Sequence, residues 1–194
     1  IGAGVSISAG YPSWKKLLTE VSEQLGVELD KESDLFLLAQ FYANRFGENA
    51  LKKIISSNIN QVYYESELIN KLLDLNFSSI WTTNFDRTLE HNLTNKRITA
   101  NSIFSDKDLA NVNSKNILNI YKLNGDISNL EKIIITKKDI EHYQMNHDLF
   151  LIFLKKELVT NTFLFLGYSF TDTLILSCLS TVNKYLGDSS NYHY

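Results

Sequence analysis

Short apolar runs alternate with helix-like segments from residue 77 onward, and this alternation restricts the folds open to the chain. Four runs are rich in leucine, β-branched and aromatic residues, as buried strands are: FSSIWTT, NILNIYKLNGD, KIIIT and TFLFLGYSF. The segments between and after them have helical patterns: DRTLEHNLTN, one or two helices in KKDIEHYQMNHDLFLIFLKKELVTN, and TDTLILSCLSTVNKYLG. Apolar strands that alternate with helices predict a mostly parallel sheet covered on both faces.

The residues before the first of these runs have helical patterns only. SWKKLLTEVSEQLG has Ser13 as a predicted N-cap and Gly26 just past its end, and three more helices follow in DKESDLFLLAQFYANRFG, NALKKIISSNI and ESELINKLLDLN. We therefore predict an α/β, Rossmann-like fold with a helical insertion (residues 13–75) after the first strand. Ile1 is interpreted as the last residue of that strand, 1–187 as one domain excised from a longer protein, and 188–194 as a polar end.

Composition excludes several classes of site. The single cysteine, Cys178, cannot build a disulfide framework or a four-cysteine zinc site, and no metal is predicted. The net charge is −3 with dispersed basic residues, which disfavours nucleic acid as the main ligand. The apolar runs are too short and too often interrupted by charges to span a membrane. We expect a cytoplasmic domain.

Ligands of such sheets bind at the carboxyl ends of strands, so the residues after each strand are the candidates for a site. Gly2-Ala3-Gly4 opens the chain as a glycine loop that would let backbone N–H groups face an anion, with the Ser6 hydroxyl beside it. The alternative is a tight turn, because Ile7 stands where the third glycine of a dinucleotide fingerprint would be.

Each of the other strand ends also carries a polar or glycine signal. Asn84 follows Thr82-Thr83 and could hold a ribose hydroxyl or orient a water, whereas Asp86 alone is best explained as a helix N-cap. Asn124-Gly125 usually makes only a turn. Gly167 and Ser169 could contact a nucleotide or form a simple strand-to-helix turn.

Taken together, the four stretches resemble the sirtuin superfamily of NAD-consuming domains. GAGVSISAGYPSW resembles its glycine-alanine-glycine loop, TTNFD its T-x-N-x-D motif, and FLGYSF its glycine-x-serine, while KLNGD falls where the family has histidine-glycine. The missing zinc module makes the chain less like a protein deacylase. It is more similar to the NAD hydrolase effectors of bacterial anti-phage defence, in particular that of the Thoeris system.

The resemblance implies a role for each matching residue. Gly2, Ala3, Gly4 and Ser6 would cradle the NAD⁺ diphosphate, with Thr83 and Gly125 also lining the site. Asn84 would hold the nicotinamide ribose and position the attacking water, with Asp86 supporting it. Gly167 and Ser169 would contact the adenosine half.

Asn124 departs from the pattern, because it stands where the family has its catalytic histidine. An amide has no proton to gain or lose near neutral pH and cannot act as a base. Either the natural protein binds NAD⁺ or ADP-ribose without hydrolysing it, or Asn124 is an engineered replacement that leaves NAD⁺ bound; we favour the second interpretation. His91, His142, His147 and His193 do not follow strands and are poor substitutes.

These observations leave two candidate functions, one of an enzyme and one of a non-catalytic binding module. The first is NAD⁺ hydrolysis that depletes NAD⁺ in an infected cell, with this copy impaired. The second is a non-catalytic NAD⁺ or ADP-ribose sensor that regulates a partner. A protein deacylase or an unrelated dehydrogenase fits the motifs less well. The helices at 34–46 and 149–159 are apolar over much of their surface, which the domain's own core or a homo-oligomer interface would explain, and a homo-oligomer is expected. The resemblance also implies a sensor domain or an activating protein or nucleotide signal.

Overall fold

The sheet of this protein is parallel, and its central strand comes last in the sequence. The computed structural model describes residues 1–29, 34–59, 65–112, 117–170 and 172–194. Within them, β1 (Ser79–Thr82), β2 (Ala100–Ile103) and β3 (Leu118–Lys122) form a sheet in the order β1-β3-β2. Both outer strands pair with β3 in parallel. β1 and β3 match the first two predicted runs, whereas the mainly polar and small residues of β2 gave no strand signal.

Helices form most of the remaining described structure. In chain order they are α1 (Ala3–Ser8), α2 (Trp14–Leu17), α3 (Thr19–Leu25), α4 (Leu35–Phe46), α5 (Glu48–Ile59), α6 (Glu67–Leu73), α7 (Thr88–Asn95), α8 (Lys137–Glu141), α9 (Tyr143–Asn146), α10 (Asp148–Thr160) and α11 (Thr173–Leu186). Helices α2 to α6 form the predicted insertion. Parts of three predicted elements, at residues 30–33, 116 and 171, lie outside the described residues.

The helix boundaries follow the capping residues of the sequence. The Ser13 hydroxyl accepts a hydrogen bond from the backbone N–H of Lys16, and Gly26 ends α3 in the left-handed conformation. The single helix predicted for SWKKLLTEVSEQLG is divided at Leu18. The region predicted as one or two helices after residue 136 forms three, α8 to α10, with breaks at His142 and His147.

Two predicted strands are wrong. Residues 133–135 of KIIIT are buried but form no ladder, since Ile134 bonds to the Asn124 carbonyl and Ile135 to the Asp139 side chain. Residues 162–170 of TFLFLGYSF do not belong to the sheet, and Gly167 and Phe170 have positive φ. Apolar composition makes a segment fit a buried environment, but a strand also needs a neighbouring backbone along its length.

The sheet is covered on both faces, as predicted. Ile80 and Ile120 pack into a core formed with α1 to α7, whereas Trp81 and Tyr121 point to the opposite face and pack with α10 and α11. The Trp81 and Tyr121 rings stack with centroids 4.2 Å apart. Side chains that alternate between two apolar cores explain why neighbouring residues in the middle of β1 and at the centre of β3 are both apolar. Among the described helices, none has both the length and the apolar character needed to cross a membrane.

Candidate functional site

The loops that follow the strands meet around one cavity of about 600 Å³, which we call the strand-end cavity. The loop after β1 and the loop after β3 are joined by hydrogen bonds from Leu123 N to Thr82 O and from Ile127 N to Phe85 O, both 2.8 Å. The start of the chain, described residues between 165 and 169, and Asp172 contribute to the wall. A volume of this size is typical of pockets that hold a small ligand or cofactor.

The glycines at the start of the chain allow its backbone to lie close to the backbone of residues 166–168. Gly2 N–H donates to Leu166 O and Gly4 N–H to Gly167 O, each at 2.9 Å. A Cβ on Gly2 would lie 2.5 Å from the Gly167 carbonyl oxygen, and one on Gly167 would lie 2.6 Å from Val5 N. The predicted loop is also shorter than expected, because α1 already begins at Ala3. The N–H groups of Gly2 and Gly4 are therefore engaged within the protein instead of facing an anion.

Ser6, Asn84 and Asp86 form one hydrogen-bonded cluster between α1 and the loop after β1. The Ser6 hydroxyl donates to Asp86 Oδ2 at 2.7 Å and accepts from Asn84 Nδ2 at 2.9 Å. The same Nδ2 donates to Gly2 O at 3.0 Å. These bonds use the hydroxyl hydrogen of Ser6 and the amide donors of Asn84. The amide oxygen of Asn84 is thus the group left for a ligand, as an acceptor.

Asp86 is held from the first turn of α7, but it is not the predicted N-cap, because Arg87 occupies that position. Asp86 Oδ1 accepts from Thr88 N at 2.9 Å and from the Thr88 hydroxyl. An acidic side chain at this end of a helix is also favoured by the helix dipole. The carboxylate is therefore fixed in orientation and holds Ser6 in place.

Asn124 lies on the opposite wall of the strand-end cavity. Asn124 is 7% exposed, and its Oδ1 is buried with no hydrogen-bond partner among the described residues. A buried acceptor without a partner costs about 1–3 kcal/mol, which a ligand hydroxyl would recover. Gly125 follows with φ +82°, and a Cβ there would overlap the Lys132 carbonyl oxygen. Glycine is thus required at the turn that positions Asn124.

Tyr168 and Asp172 extend the wall towards α11, and the sequence analysis did not select them. Asp172 caps α11 by accepting from Leu174 N at 2.9 Å. Burial raises the pKa of the Asp172 carboxyl, and burial and the Asp172 charge raise the pKa of the Tyr168 hydroxyl. The N-cap position before TLILSC was a readable signal for Asp172. Tyr168 gave none, because aromatic residues in an apolar run usually belong to the core.

The lining of the cavity is half apolar and carries no positive side chain among the described residues. Its ionisable side chains are Asp86, Asp172 and two tyrosines. The apolar part, which could hold aromatic rings, consists of Ile7, Tyr11, Pro12, Trp14, Leu17, Phe36, Ile59, Phe85, Ile134 and Phe165. A bound diphosphate would rely on hydroxyl and backbone donors. No group of three or more His, Cys, Asp or Glu residues suited to a metal occurs in the described part of the chain.

Most of the residues selected from sequence border this cavity. Those in its lining are Ala3, Gly4, Ser6, Thr83, Asn84, Asp86, Asn124, Gly167 and Ser169. Gly2 and Gly125 lie behind the wall and shape its loops. None of the four histidines, all of which the structure describes, is part of the lining. The four stretches selected from sequence are therefore brought together, although only two of them follow strands of the described sheet, and position 124 has no titratable base.

Comparison with known proteins identifies related sequences. Residues 78–194 match the model of the SIR2-like domain family. The chain is 34% identical over 193 residues to "NAD(+) hydrolase ThsA" of Cytobacillus dafuensis and 34% identical over 195 residues to that of Bacillus cereus strain MSX-D12. It is 28% identical over 196 residues to "Defense-associated sirtuin 2" of Bacillus subtilis.

These alignments cover nearly all of this chain but only part of each relative. The two hydrolases align with 100% of this chain, which spans 39% and 41% of their lengths. The defence-associated relative aligns with 97% of the chain, over 19% of its own length. The chain thus spans about two-fifths or less of the curated relatives that it matches.

Proposed function

The chain belongs to the SIR2-like domain family, and from this premise we propose that it binds NAD⁺ in the strand-end cavity and that its fold cleaves the bond between nicotinamide and ribose. The names of the relatives support this proposal, since those aligned over the whole chain are called NAD(+) hydrolases. The name of the defence-associated relative supports a role in defence. The proposed role is anti-phage defence through depletion of NAD⁺. The NAD⁺ pool of the cytoplasm would be the target.

One observation carries the proposal. The Ser6–Asn84–Asp86 cluster and the unpartnered Oδ1 of Asn124 face one cavity of about 600 Å³ from two separate strand ends. Acceptors that converge in this way suit a ribose, whose hydroxyl groups donate. The apolar lining suits the nicotinamide and adenine rings.

The proposed roles follow from these positions. Asn84 Oδ1 holds the nicotinamide ribose and the attacking water, and Asp86 fixes the cluster through Ser6. Ala3 and Gly4 border the diphosphate, with Gly2 behind them, and Gly167 and Ser169 border the adenosine half. Thr83 and Gly125 shape the loops around the ribose.

The reaction is a glycoside hydrolysis with an oxocarbenium-like transition state. Water adds to the anomeric carbon, the electron pair of the broken C–N bond leaves with neutral nicotinamide, and the added water gives up one proton. Orientation of the ribose and water supplies much of the rate enhancement. No residue of the lining other than the carboxylates is a ready acceptor for that proton.

Asn124 makes this copy slow, because its amide fills the position of a base without accepting a proton. We expect the Asn124→His chain to release nicotinamide about 10²–10⁴-fold faster than the parent, the range typical of a single general base. The assay is nicotinamide release from NAD⁺ by the full chain, with Asn84→Ala in the Asn124→His background as the inactive control. An Asn124→His protein that binds NAD⁺ but never hydrolyses it overturns the hydrolase proposal.

A sensing module is the second candidate, and Asn124 itself favours it. The cavity with Asn124 would hold NAD⁺ or ADP-ribose and report its presence to a partner without turnover. Thermal unfolding with and without each nucleotide tests the binding that both functions share. If neither nucleotide raises the unfolding temperature of either form, both candidates fail.

A homo-oligomer and a separate sensing or activating part are also proposed. Other apolar residues of α4 and α10, such as Leu38 and Leu154, are buried in the core, but five are exposed: Leu37, Phe41, Leu149, Ile152 and Val159. Exposed apolar side chains on α4 and α10 suit subunit contacts. Sedimentation of the parent and of Phe41→Asp and Ile152→Asp variants tests this proposal, since a monomeric parent contradicts it.

A further inference from the structure

Lys122 is a fully buried lysine that the proposed reaction does not use. It is the last residue of β3, and its side chain is 1% exposed. Its ammonium group donates to Asp126 Oδ2 at 2.6 Å, Asp86 O at 2.6 Å and Glu90 Oε1 at 3.1 Å, with Phe85 O at 3.4 Å. The three shorter bonds account for the three hydrogens of the group.

Stability alone does not require a lysine here. A buried ion pair loses much of its attraction to the cost of removing both charges from water, and an apolar replacement of the whole cluster is often neutral or stabilising. Two carboxylates, of Glu90 and Asp126, face this single ammonium. Glu90 Oε1 also accepts from the Ser102 hydroxyl at 2.9 Å, and Asp126 Oδ1 accepts from Ser128 N at 2.8 Å. The arrangement is therefore costly and specific.

The partners of Lys122 belong to both sides of the strand-end cavity. The carbonyls of Phe85 and Asp86 are in the loop that carries Asn84, and Asp126 is in the loop that carries Asn124. Among the described residues, the other hydrogen bonds between these loops join backbone groups. The ammonium group is thus the side-chain connection between the acceptor that holds the ribose and the position of the base.

We propose that Lys122 is a positioning residue for NAD⁺ hydrolysis, which fixes the separation between Asn84 and residue 124. The inference rests on the proposed function. It predicts that loss of the ammonium group impairs turnover more than binding, because a displacement of about 1 Å in a reacting group can cost about 10²-fold in rate.

The test compares variants of the full chain that all carry Asn124→His. Lys122→Met should lower kcat for nicotinamide release at least about tenfold, with KM for NAD⁺ changed less than about threefold. Lys52→Met is the matched control, because Lys52 is also a buried lysine paired with a carboxylate, Glu131 at 3.3 Å, but contacts neither loop. Its kcat should stay within about twofold of the parent value.

A third variant separates positioning from charge balance. The triple variant Lys122→Met/Glu90→Gln/Asp126→Asn removes all three charges. Its kcat should remain below that of the Asn124→His protein, and it serves as the test if Lys122→Met alone fails to fold. If its kcat returns to the parent value, Lys122 only balances charge and the inference is overturned, as it is if folded Lys122→Met has the parent kcat. If the Asn124→His protein without any change at Lys122 releases no nicotinamide, the hydrolase proposal itself is overturned, and this inference with it.

Discussion

Asp126 illustrates how one residue ties stability to pH at the end of β3. Burial alone would raise the pKa of its carboxyl, but the Lys122 charge and the hydrogen bonds from Lys122 and Ser128 outweigh burial and lower the pKa. A carboxyl whose pKa is lowered by folding stabilises the folded state above its unfolded pKa of about 3.9. That contribution is lost as the pH falls through the folded pKa.

Asp126→Asn should therefore destabilise the protein at neutral pH and much less in acid. Removing one partner of a buried ion pair costs about 3–5 kcal/mol. The difference from the parent should begin to shrink below about pH 4, where the unfolded carboxyl becomes protonated, and should shrink further as the pH falls through the lower pKa of the folded carboxyl. Urea unfolding from pH 7 to pH 3 measures this difference. Asp74→Asn is the control, because Asp74 pairs with Lys96 at the surface. A difference that is constant with pH would contradict the assignment.

Gly125 sets the turn that presents Asn124, and its replacement should be costly for two reasons. Gly125→Ala combines the strain of a left-handed residue, about 1–2 kcal/mol, with the overlap against the Lys132 carbonyl. Gly26→Ala is the matched control, since Gly26 has φ +71° but nothing within 4 Å of its Cβ position. Thermal unfolding should show a larger loss of stability for Gly125→Ala. Equal losses of stability for the two variants would mean that the turn at Gly125 moves to accommodate the added Cβ without cost.

The sequence predicted which residues line the cavity where those residues follow a strand. Asn84, Asp86 and Asn124 follow apolar runs, and parallel strands bring such residues to one edge. Lys122 could not be selected in this way, because a single lysine at the end of an apolar run is normally a solvated side chain. Its burial depends on Glu90 and Asp126, which are 32 positions before it and four after it.

At the scale of elements, α11 depends on a cap that is also part of the cavity wall. Asp172 accepts from Leu174 N and Ile175 N, so the first turn of α11 has its donors satisfied. Burial raises the pKa of this carboxyl despite those two bonds. A carboxyl with a raised folded pKa favours the folded state below about pH 4, and that contribution is lost as the pH rises.

Asp172→Ala should cost about 1 kcal/mol through loss of the cap, whereas Asp172→Asn should cost nothing at pH 7. Asparagine keeps the hydrogen bonds and removes the buried charge, so its variant should be at least as stable as the parent at pH 7. Its advantage should disappear below about pH 4, where the parent carboxyl is protonated. Urea unfolding of both variants measures the effect. A less stable Asp172→Asn protein at neutral pH would show that the charge is favourable.

The failure of two strand predictions has a common cause at this scale. Ile133 to Ile135 and Phe163 to Leu166 are as apolar as β3, but pairing is decided by what lies beside a segment. β2 is the converse case, because it has little strand propensity but lies along β3. Helix ends were more predictable, since Ser13, Gly26, Gly47 and Gly187 act through local geometry.

At the scale of the whole molecule, an apolar groove separates β1 from Phe163–Leu166. Ile1 lies at its end, where its N-terminal amine donates to Trp81 O at 2.7 Å and Gly2 N donates to Leu166 O at 2.9 Å. The start of the chain thus bonds to both sides of the groove. Trp81, Leu154, Leu158 and Ile175 line its floor.

An apolar, β-branched extension of about five residues before Ile1 should therefore pair with β1 and with residues 163–166 as an added strand. We expect it to raise the unfolding temperature by several degrees, because it buries apolar surface and pairs open backbone groups. A Gly/Ser extension of equal length is the control. Equal unfolding temperatures for the two extensions would contradict this use of the groove.

The close contact between the first residues and Gly167 also has a consequence for protein synthesis. Gly2 and Gly4 can bond to Leu166 and Gly167 only after those residues have left the ribosome. Until then, the nascent chain has no complete cavity. Contacts this distant in sequence also form late in folding. A chain that stops before Gly167 would thus lack one wall of the strand-end cavity, and under the proposed function it could not cleave NAD⁺.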